Sequence, residues 1–225
     1  MSAKKSNTSS EFMMEALKGI PLSEQVYEKI KKGIIQGQLE AGTRLTETDV
    51  AQQMGVSPTP VREAFRRLAS EGFVEIIPWR GVIVRSITEK ELLETYQCRE
   101  MMEGLSCRLA AANITQKGIN QLKKLLQESK DAATASEIVE CNSSIHNLII
   151  EFAGNSKLQS ILGLFHDVIF RDRTLTAYNA KRREEINAEH EAILSALQKH
   201  DGDLAEEAMR IHVRNGLAYR RNSNN

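Results

Sequence analysis

Apolar residues recur at helical spacing in the first third of the chain. One face of a first predicted helix carries an apolar residue at every fourth position, namely Leu22, Val26, Ile30 and Ile34. This helix ends at Gly37, and the segment 46–55 (TETDVAQQMG) predicts a short second helix that ends at Gly55. A third helix begins at Pro58, because proline is tolerated in the first turn, where a backbone N–H has no partner within the helix.

The third helix has one apolar face and one polar face. Its apolar positions share one side and are Val61, Ala64, Phe65 and Leu68. Its polar positions share the opposite side and are Thr59, Arg62, Glu63 and Arg66. Ser57 precedes the helix, and we expect its hydroxyl to cap the free amides of the first turn. The apolar side is therefore expected to pack, leaving the arginines exposed.

Two short apolar segments follow this helix after Gly72. FVEII (73–77) and GVIVR (81–85) predict strands, and PWR between them predicts a turn closed by Gly81. A helix with two arginines is by itself more often an ordinary solvated surface. Two helices joined by a glycine turn, the second exposing arginines, are instead typical of proteins that bind the major groove of DNA. The order of elements favours a winged helix-turn-helix over 20–87 with double-stranded DNA as its partner.

From Thr88 onward the pattern predicts helices only. Thr88 and Glu91 are spaced as a capping box, which begins the first of them. Six helices are predicted, at about 88–112, 115–131, 134–153, 155–177, 180–199 and 202–220. Short connections favour an antiparallel bundle over 88–225, and the polar segment 1–19 is expected to be a disordered arm. The predicted fold class is therefore mainly α, a winged helix-turn-helix followed by an all-α bundle.

Composition adds little to this assignment. The chain has 225 residues and no net charge, with 12 basic and 10 acidic residues up to Ile87 and 18 and 20 after it. The DNA-binding hypothesis therefore depends on where the arginines lie. Cys98, Cys107 and Cys141 have no C-x-x-C spacing, which predicts a reducing cytoplasm and no thiolate zinc site. No apolar run is long enough for a membrane span.

Three histidines lie on apolar faces of three predicted helices: His146, His190 and His212. A single such histidine is more often a hydrogen-bonded core residue than a ligand. Three together favour a shared partner, because burying three imidazoles costs desolvation energy. A divalent transition metal suits imidazole, and helical bundles commonly build metal sites from facing helices.

The stretch LEAGTRLTETDVAQQMGVSPTPVREAFRRLASEGFVEIIPWRGVIV resembles the winged helix-turn-helix of the GntR family of bacterial transcriptional regulators, over about 20–87. The rest of the chain resembles the all-helical FCD ligand-binding domain of the FadR-like branch. Six helices resemble its smaller variant, of the vanillate-regulator type. The resemblance implies a cytoplasmic, homodimeric repressor that binds operator DNA and is controlled by a small carboxylate effector.

The recognition-helix pattern and the resemblance together indicate which residues contact DNA. We expect them to be Thr48, Ser57, Thr59, Arg62 and Arg66, with the wing residues Arg80 and Gly81 approaching the minor groove. Because one recognition helix contacts few base pairs, useful specificity needs two half-sites and therefore a dimer.

The resemblance also implies a metal and an effector site in the helical domain. The family's ligands are an aspartate four residues before the first histidine and then three histidines. Here that position is Asn142, so the expected zinc or nickel site of Asn142, His146, His190 and His212 lacks an anionic ligand.

Two residues of the first bundle helix belong to this expected effector site. The segment YQCRE matches the family position whose arginine binds the effector's carboxylate, which assigns Arg99 and, beside it, Tyr96 to the effector. An ordinary i, i+4 ion pair between Arg99 and Glu103 is an equally good interpretation.

Two other classes of protein remain as alternatives. Three histidines with an open metal position also describe a metal-dependent enzyme. The chain has no H-E-x-x-H, phosphate loop or G-x-S-x-G motif, and no general base is placed near the histidines, so we expect no enzymatic activity. The second alternative is an architectural DNA-binding protein without an effector, which ligand-dependent operator affinity would distinguish from a regulator.

Overall fold

The structure, a computed structural model, describes residues 19–176 and 179–222, and for residues 174–176 it describes the backbone alone. The predicted disordered arm, 1–19, lies outside the described residues except for Gly19. The DNA-binding half comprises α1 (Leu22–Ile35), β1 (Arg44–Leu45), α2 (Glu47–Met54), α3 (Pro58–Ser70), β2 (Val74–Ile77) and β3 (Gly81–Val84).

The amphipathic faces predicted for α1 and α3 pack against each other, except that Leu22 at the start of α1 is exposed. Their shared core contains residues almost fully removed from solvent, among them Tyr27, Ile34, Val61, Phe65 and Leu68. The hairpin of β2 and β3 is antiparallel, and β1 adds to β3 to give the order β1-β3-β2. β1 was not predicted, because a two-residue strand has no hydrophobic periodicity and exists only through its pairing with β3.

The turn between α2 and α3 has the predicted glycine but not the predicted cap. Gly55 ends α2 in the left-handed conformation with φ 66°. Ser57 occupies the position before α3, yet its side chain makes no capping hydrogen bond, which corrects the prediction. A cap bonds the second or third amide of the helix, and the third residue here is Pro60, which has no N–H to donate.

Seven helices, one more than predicted, form the described part of the second half. They are α4 (Glu89–Asn113), α5 (Gln116–Asp131), α6 (Ala135–Phe152), α7 (Ser156–Gly163), α8 (His166–Thr176), α9 (Ala180–Gln198) and α10 (Gly202–Asn222). The segment 155–177, predicted as one helix, is broken between α7 and α8. There Leu164 and Phe165 donate to carbonyls three residues back, a tight turn that redirects the chain without proline.

The helical domain is built around α4. The predicted capping box is confirmed, since the Glu91 amide donates to Thr88 Oγ1 and the Thr88 amide donates to Glu91 Oε2. Cys107, Ala110 and Ala111 are fully buried, and such small side chains let neighbouring helices approach α4 closely. Among the described residues, no helix combines the length and apolar character that crossing a membrane requires.

Helix α8 contacts both halves of the protein. Asp167 Oδ2 lies 2.7 Å from Lys31 Nζ of α1, and Arg171 Nη2 donates to the carbonyl of Arg85 at 2.6 Å, just after β3. Other residues of the same helix face the interior of the helical domain. α8 thus separates the winged helix-turn-helix from the bundle interior.

Candidate functional site

The outer face of α3 is exposed as predicted. Side chains on this face and at the adjoining helix ends are open to solvent, namely Thr48, Ser57, Thr59, Arg62 and Arg66. Arg62 is not free: its Nε and Nη2 donate to the Glu47 carboxylate at 2.9 and 2.6 Å, across the helix-turn-helix. This bidentate ion pair holds the guanidinium at the junction of α2 and α3.

The wing formed by β2 and β3 lies close to the same junction, where Gly81 approaches Leu45. Gly81 has φ 90°, and a Cβ there would lie 2.9 Å from the carbonyl oxygen of Leu45, so both backbone conformation and space require glycine. Leu45 is two residues before Glu47, the partner of Arg62. Arg80 and Arg44 are both exposed beside this contact. Arg44 was missed by the sequence analysis, because it lies in the strand that has no periodic signal.

The structure brings the three predicted histidines together in the bundle interior. His146 of α6, His190 of α9 and His212 of α10 are all buried. The Nε2 atom of His146 lies 3.3 Å from Nε2 of His190 and 3.2 Å from Nε2 of His212. One nitrogen of each ring lies within 4.8 Å of the others, so the three rings share one centre.

Carboxylates orient two of these rings through Nδ1, the ring nitrogen that points away from the shared centre. Glu103 Oε2 lies 2.5 Å from His146 Nδ1, and Glu189 Oε2 lies 2.7 Å from His212 Nδ1. A carboxylate accepts, so each Nδ1 carries the hydrogen and each Nε2 presents its lone pair to the shared centre. Carboxylates that hold histidines in this tautomer are common behind metal-binding histidines.

All three imidazoles are held in the neutral form that binds metal ions. Burial lowers the pKa of His146 to about 3, and the positive charge of Arg173 adds to this effect. Burial and the other histidines hold the pKa of His190 well below 6.5, and burial also lowers that of His212. His190 Nδ1 is buried and has no hydrogen-bond partner among the described residues, so no carboxylate orients this ring.

Asn142 lies one helical turn before His146 on α6 and is buried. Its Oδ1 accepts a hydrogen bond from Ser129 Oγ of α5 at 3.1 Å. The same hydroxyl lies 3.4 Å from Asn187 Oδ1 of α9. The amide is therefore part of a polar contact between three helices at the edge of the histidine cluster.

Arg99 forms the i, i+4 pair that was one of its two interpretations, but the pair is buried rather than on the surface. Its Nε donates to Glu103 Oε1 at 2.7 Å, and its guanidinium lies over the ring of Tyr96. The Tyr96 hydroxyl donates to Asp172 Oδ2 at 2.7 Å. Arg99 thereby fixes the carboxylate that orients His146.

A cavity of about 360 Å³ lies beside the cluster, large enough for a small ligand. His146 and Glu103 form part of its wall, but neither Arg99 nor Tyr96 lines it. The described residues on its wall include Ser143, Asn147, Gln159, His166, Ile169 and Arg173. Arg173 is half-buried, and its Nη1 donates to Ser143 Oγ at 3.0 Å.

The sequence analysis missed the two carboxylates that orient the histidines and the arginine on the wall of the adjoining cavity. Glu103 was considered only as the surface partner of Arg99, and Glu189 is 23 residues from the His212 that it orients. Arg173 had no signal, because the helix that carries it was predicted as the end of a longer one. Each role depends on which helices pack together.

Family models match both halves of the chain. Residues 22–84 match the gntR family of bacterial regulatory proteins, and residues 94–215 match the FCD domain. The chain belongs to the GntR family and is a DNA-binding transcriptional regulator with a C-terminal FCD domain.

Similar proteins agree with this assignment, and a solved structure shares the fold. The chain is 30% identical to the HTH-type transcriptional regulator YdhC of Bacillus subtilis (strain 168), covering 87% of this chain and 89% of the relative. It is also 30% identical to the HTH-type transcriptional repressor RspR of Escherichia coli (strain K12), covering 86% of each. The structure of E. coli McbR/YncC matches with a TM-score of 0.73 and 23% identity, covering 92% of this chain and all of that one, which shows a shared fold.

Proposed function

We propose that this protein is a homodimeric repressor whose affinity for operator DNA is set by a small carboxylate bound beside a divalent metal ion. The observation that carries the proposal is the approach of the three Nε2 atoms of His146, His190 and His212 at the edge of a cavity. The name of the relative RspR supports repression.

The donor set fits a transition metal. The Nε2 lone pairs of His146 and His212 face each other at 3.2 Å, an arrangement that repels unless a cation or a proton lies between them. His146, His190 and His212 would hold the ion, with zinc or nickel suited to imidazole ligands, and Asn142 is the candidate for a neutral fourth ligand. A bound metal would supply a positive charge to which an effector carboxylate can bind.

We assign the protein's own carboxylate contact to Arg173 rather than to Arg99. Arg99 is occupied by the buried carboxylate of Glu103 and does not line the cavity, whereas Arg173 does. A guanidinium fork matches a carboxylate, and Ser143, Asn147 and Gln159 offer hydrogen bonds to hydroxyl groups. This wall suits a small hydroxy acid.

Helix α8 offers a direct route from this cavity to the DNA-binding half. His166, Ile169 and Arg173 face the cavity, while Asp167 and Arg171 bond to the winged helix-turn-helix. A ligand that moves α8 against α6 therefore also moves its contacts with α1. Such a differential contact is what a coupling between two sites requires.

Exposed apolar residues on adjoining helices support a dimer. α4 packs along α10, and these two helices leave large apolar side chains open to solvent: Met101, Leu105, Leu204 and Ile211. Several exposed large apolar side chains on two adjoining helices are typical of a subunit interface. Sedimentation of the wild type and of Leu105→Glu tests the assignment, because a charge in the interface should favour the monomer.

We propose that this site binds its ligand without turnover, because the carboxylate in contact with the histidine cluster is already paired. Glu103 is the carboxylate nearest to His146, and it is held by Arg99 and His146, so it is not available as a general base.

The central test measures metal content and ligand response together. Elemental analysis of purified protein should find about one divalent ion per chain. The affinity for a duplex selected from a random-sequence pool should change about 5- to 150-fold with at least one of citrate, malate, lactate and gluconate. Absence of metal together with unchanged affinity for the whole panel would overturn the proposal, and conversion of an acid, seen by mass spectrometry, would identify an enzyme instead.

A further inference from the structure

Trp79 is the single tryptophan of the chain, and it lies at the tip of the wing. It is 102% exposed, so none of the residues that the structure describes shields it. Its backbone has φ 65°, in the left-handed region that bulky residues rarely adopt. Exposing an indole and straining its backbone both cost free energy, and strain of this kind clusters at functional positions.

The wing tip presents the indole within a group of cations. Arg80 follows Trp79 directly, and Arg44 lies close to Gly81, with its Nε 3.8 Å from where a Cβ would be. The contact between Gly81 and the Leu45 carbonyl places this tip near the N-terminus of α2 and so near the pair of Glu47 with Arg62. The turn of the wing therefore lies beside the end of α2 whose Glu47 holds Arg62.

We infer that Trp79 is a DNA contact, which packs its indole against the sugars and base edges of the minor groove beside the half-site. This inference rests on the proposed placement of operator DNA along α3. Minor-groove proteins combine cationic side chains with apolar ones that press against or between base steps. Arg80 supplies the charge, and Trp79 supplies apolar and aromatic area that is independent of base sequence.

Binding measurements separate the two contributions. Trp79→Ala should weaken binding to a duplex selected by the wild type about tenfold, within the range measured for the loss of one aromatic contact to a base. It should leave the salt dependence unchanged, whereas Arg80→Ala should lower the salt slope by about one. Trp79→Phe should retain most of the affinity. Leu164→Ala, which removes another exposed apolar side chain from the helical domain, is the control and should change nothing.

Thermal melts distinguish a DNA contact from a structural role. Asparagine tolerates positive φ, so Trp79→Asn should melt at a temperature at least as high as the wild type while binding DNA more weakly. A fall in melting temperature that accompanies the lost affinity would overturn the inference, because the indole would then support the wing.

The fluorescence of this single tryptophan reports the contact directly. Adding the selected duplex should protect Trp79 from acrylamide quenching several-fold. Protection that follows protein concentration without DNA would overturn the inference in favour of contact between protein copies. If Arg62→Ala weakens binding but Trp79→Ala does not, the inference alone fails, and if neither does, the proposed DNA face fails with it.

Discussion

Lys31 and Asp167 join the two halves of the protein through an ion pair of 2.7 Å between Nζ and Oδ2. Lys31 also donates to the Tyr27 hydroxyl, which donates to Glu71 Oε2 at the end of α3. The arginine-bearing helix and the cavity helix are thus linked through four side chains, those of Asp167, Lys31, Tyr27 and Glu71. The link is short enough to test by substitution.

Breaking this pair should uncouple the domains. A double-mutant cycle of Lys31→Met and Asp167→Asn should give a coupling energy of about 0.5–1 kcal/mol in the free energy of unfolding, since the pair is partly exposed. Both variants should also reduce the effect of a bound carboxylate on DNA affinity. Lys32→Met is the matched control, because Lys32 is exposed on the same helix. An unchanged ligand response in both variants would exclude this route.

The same pair predicts a pH dependence. Burial raises the pKa of Asp167, but hydrogen bonds from His166 and Lys31 outweigh it and hold the pKa below 3.8. A lowered pKa stabilises the folded state above the ordinary pKa, and this contribution is lost as pH falls through the folded value. The stability difference between wild type and Asp167→Asn should therefore be present at neutral pH and shrink below about pH 4. Urea unfolding at several pH values measures it, and a difference that persists at the lowest pH would contradict the assignment.

Arg62→Ala should weaken binding to the selected duplex about ten- to hundredfold while leaving the melting temperature and the dimer unchanged. Its guanidinium is exposed and already oriented by Glu47, so little of the protein's own packing depends on it. Lys130→Ala is the control, since Lys130 is an exposed, ion-paired cation of the helical domain that lies outside α4 and α10. If the two variants bind the duplex with equal affinity in a gel-shift titration, α3 is not part of the DNA interface.

Asn142→Asp tests the metal directly. If the histidines hold an ion, an added anionic ligand should tighten zinc binding and raise the melting temperature in zinc above that of the wild type. Without a metal site, the change buries an unpaired carboxylate, and stability near neutral pH should fall with or without zinc. Asn187→Asp is the control, because Asn187 also lies beside Ser129 but is not a proposed ligand. Thermal melts with and without added zinc decide between the two outcomes.

Substitutions of Arg99 and of Arg173 should affect different properties, the first the stability of the fold and the second the affinity for the effector. Arg99→Ala leaves the Glu103 carboxylate buried without its guanidinium, so the free energy of unfolding should fall by about 3–5 kcal/mol. Arg173→Lys keeps a positive charge on the cavity wall but loses the fork, so the protein should fold and bind a carboxylate effector about tenfold more weakly. Calorimetric titration and thermal melts separate the two effects. A normal effector affinity in Arg173→Lys would contradict the assignment and show that another residue binds the carboxylate.

Local patterns in the sequence determined most of the secondary structure. The apolar spacing in α1 and α3, the glycine that ends α2 and the capping box of α4 act over a few residues, so they are visible without the fold. The same periodicity placed His146, His190 and His212 on buried faces. The match to the family could also be recognised at this level.

Tertiary packing decided what those elements do. The ion pair of Lys31 with Asp167, the carboxylates behind His146 and His212, and the place of Arg173 on the cavity wall join residues from different helices. The break before α8 likewise has no proline, yet it turns the helix that touches both domains. Such contacts have no local periodicity, because they depend on how helices pack and on which charges burial forces to pair.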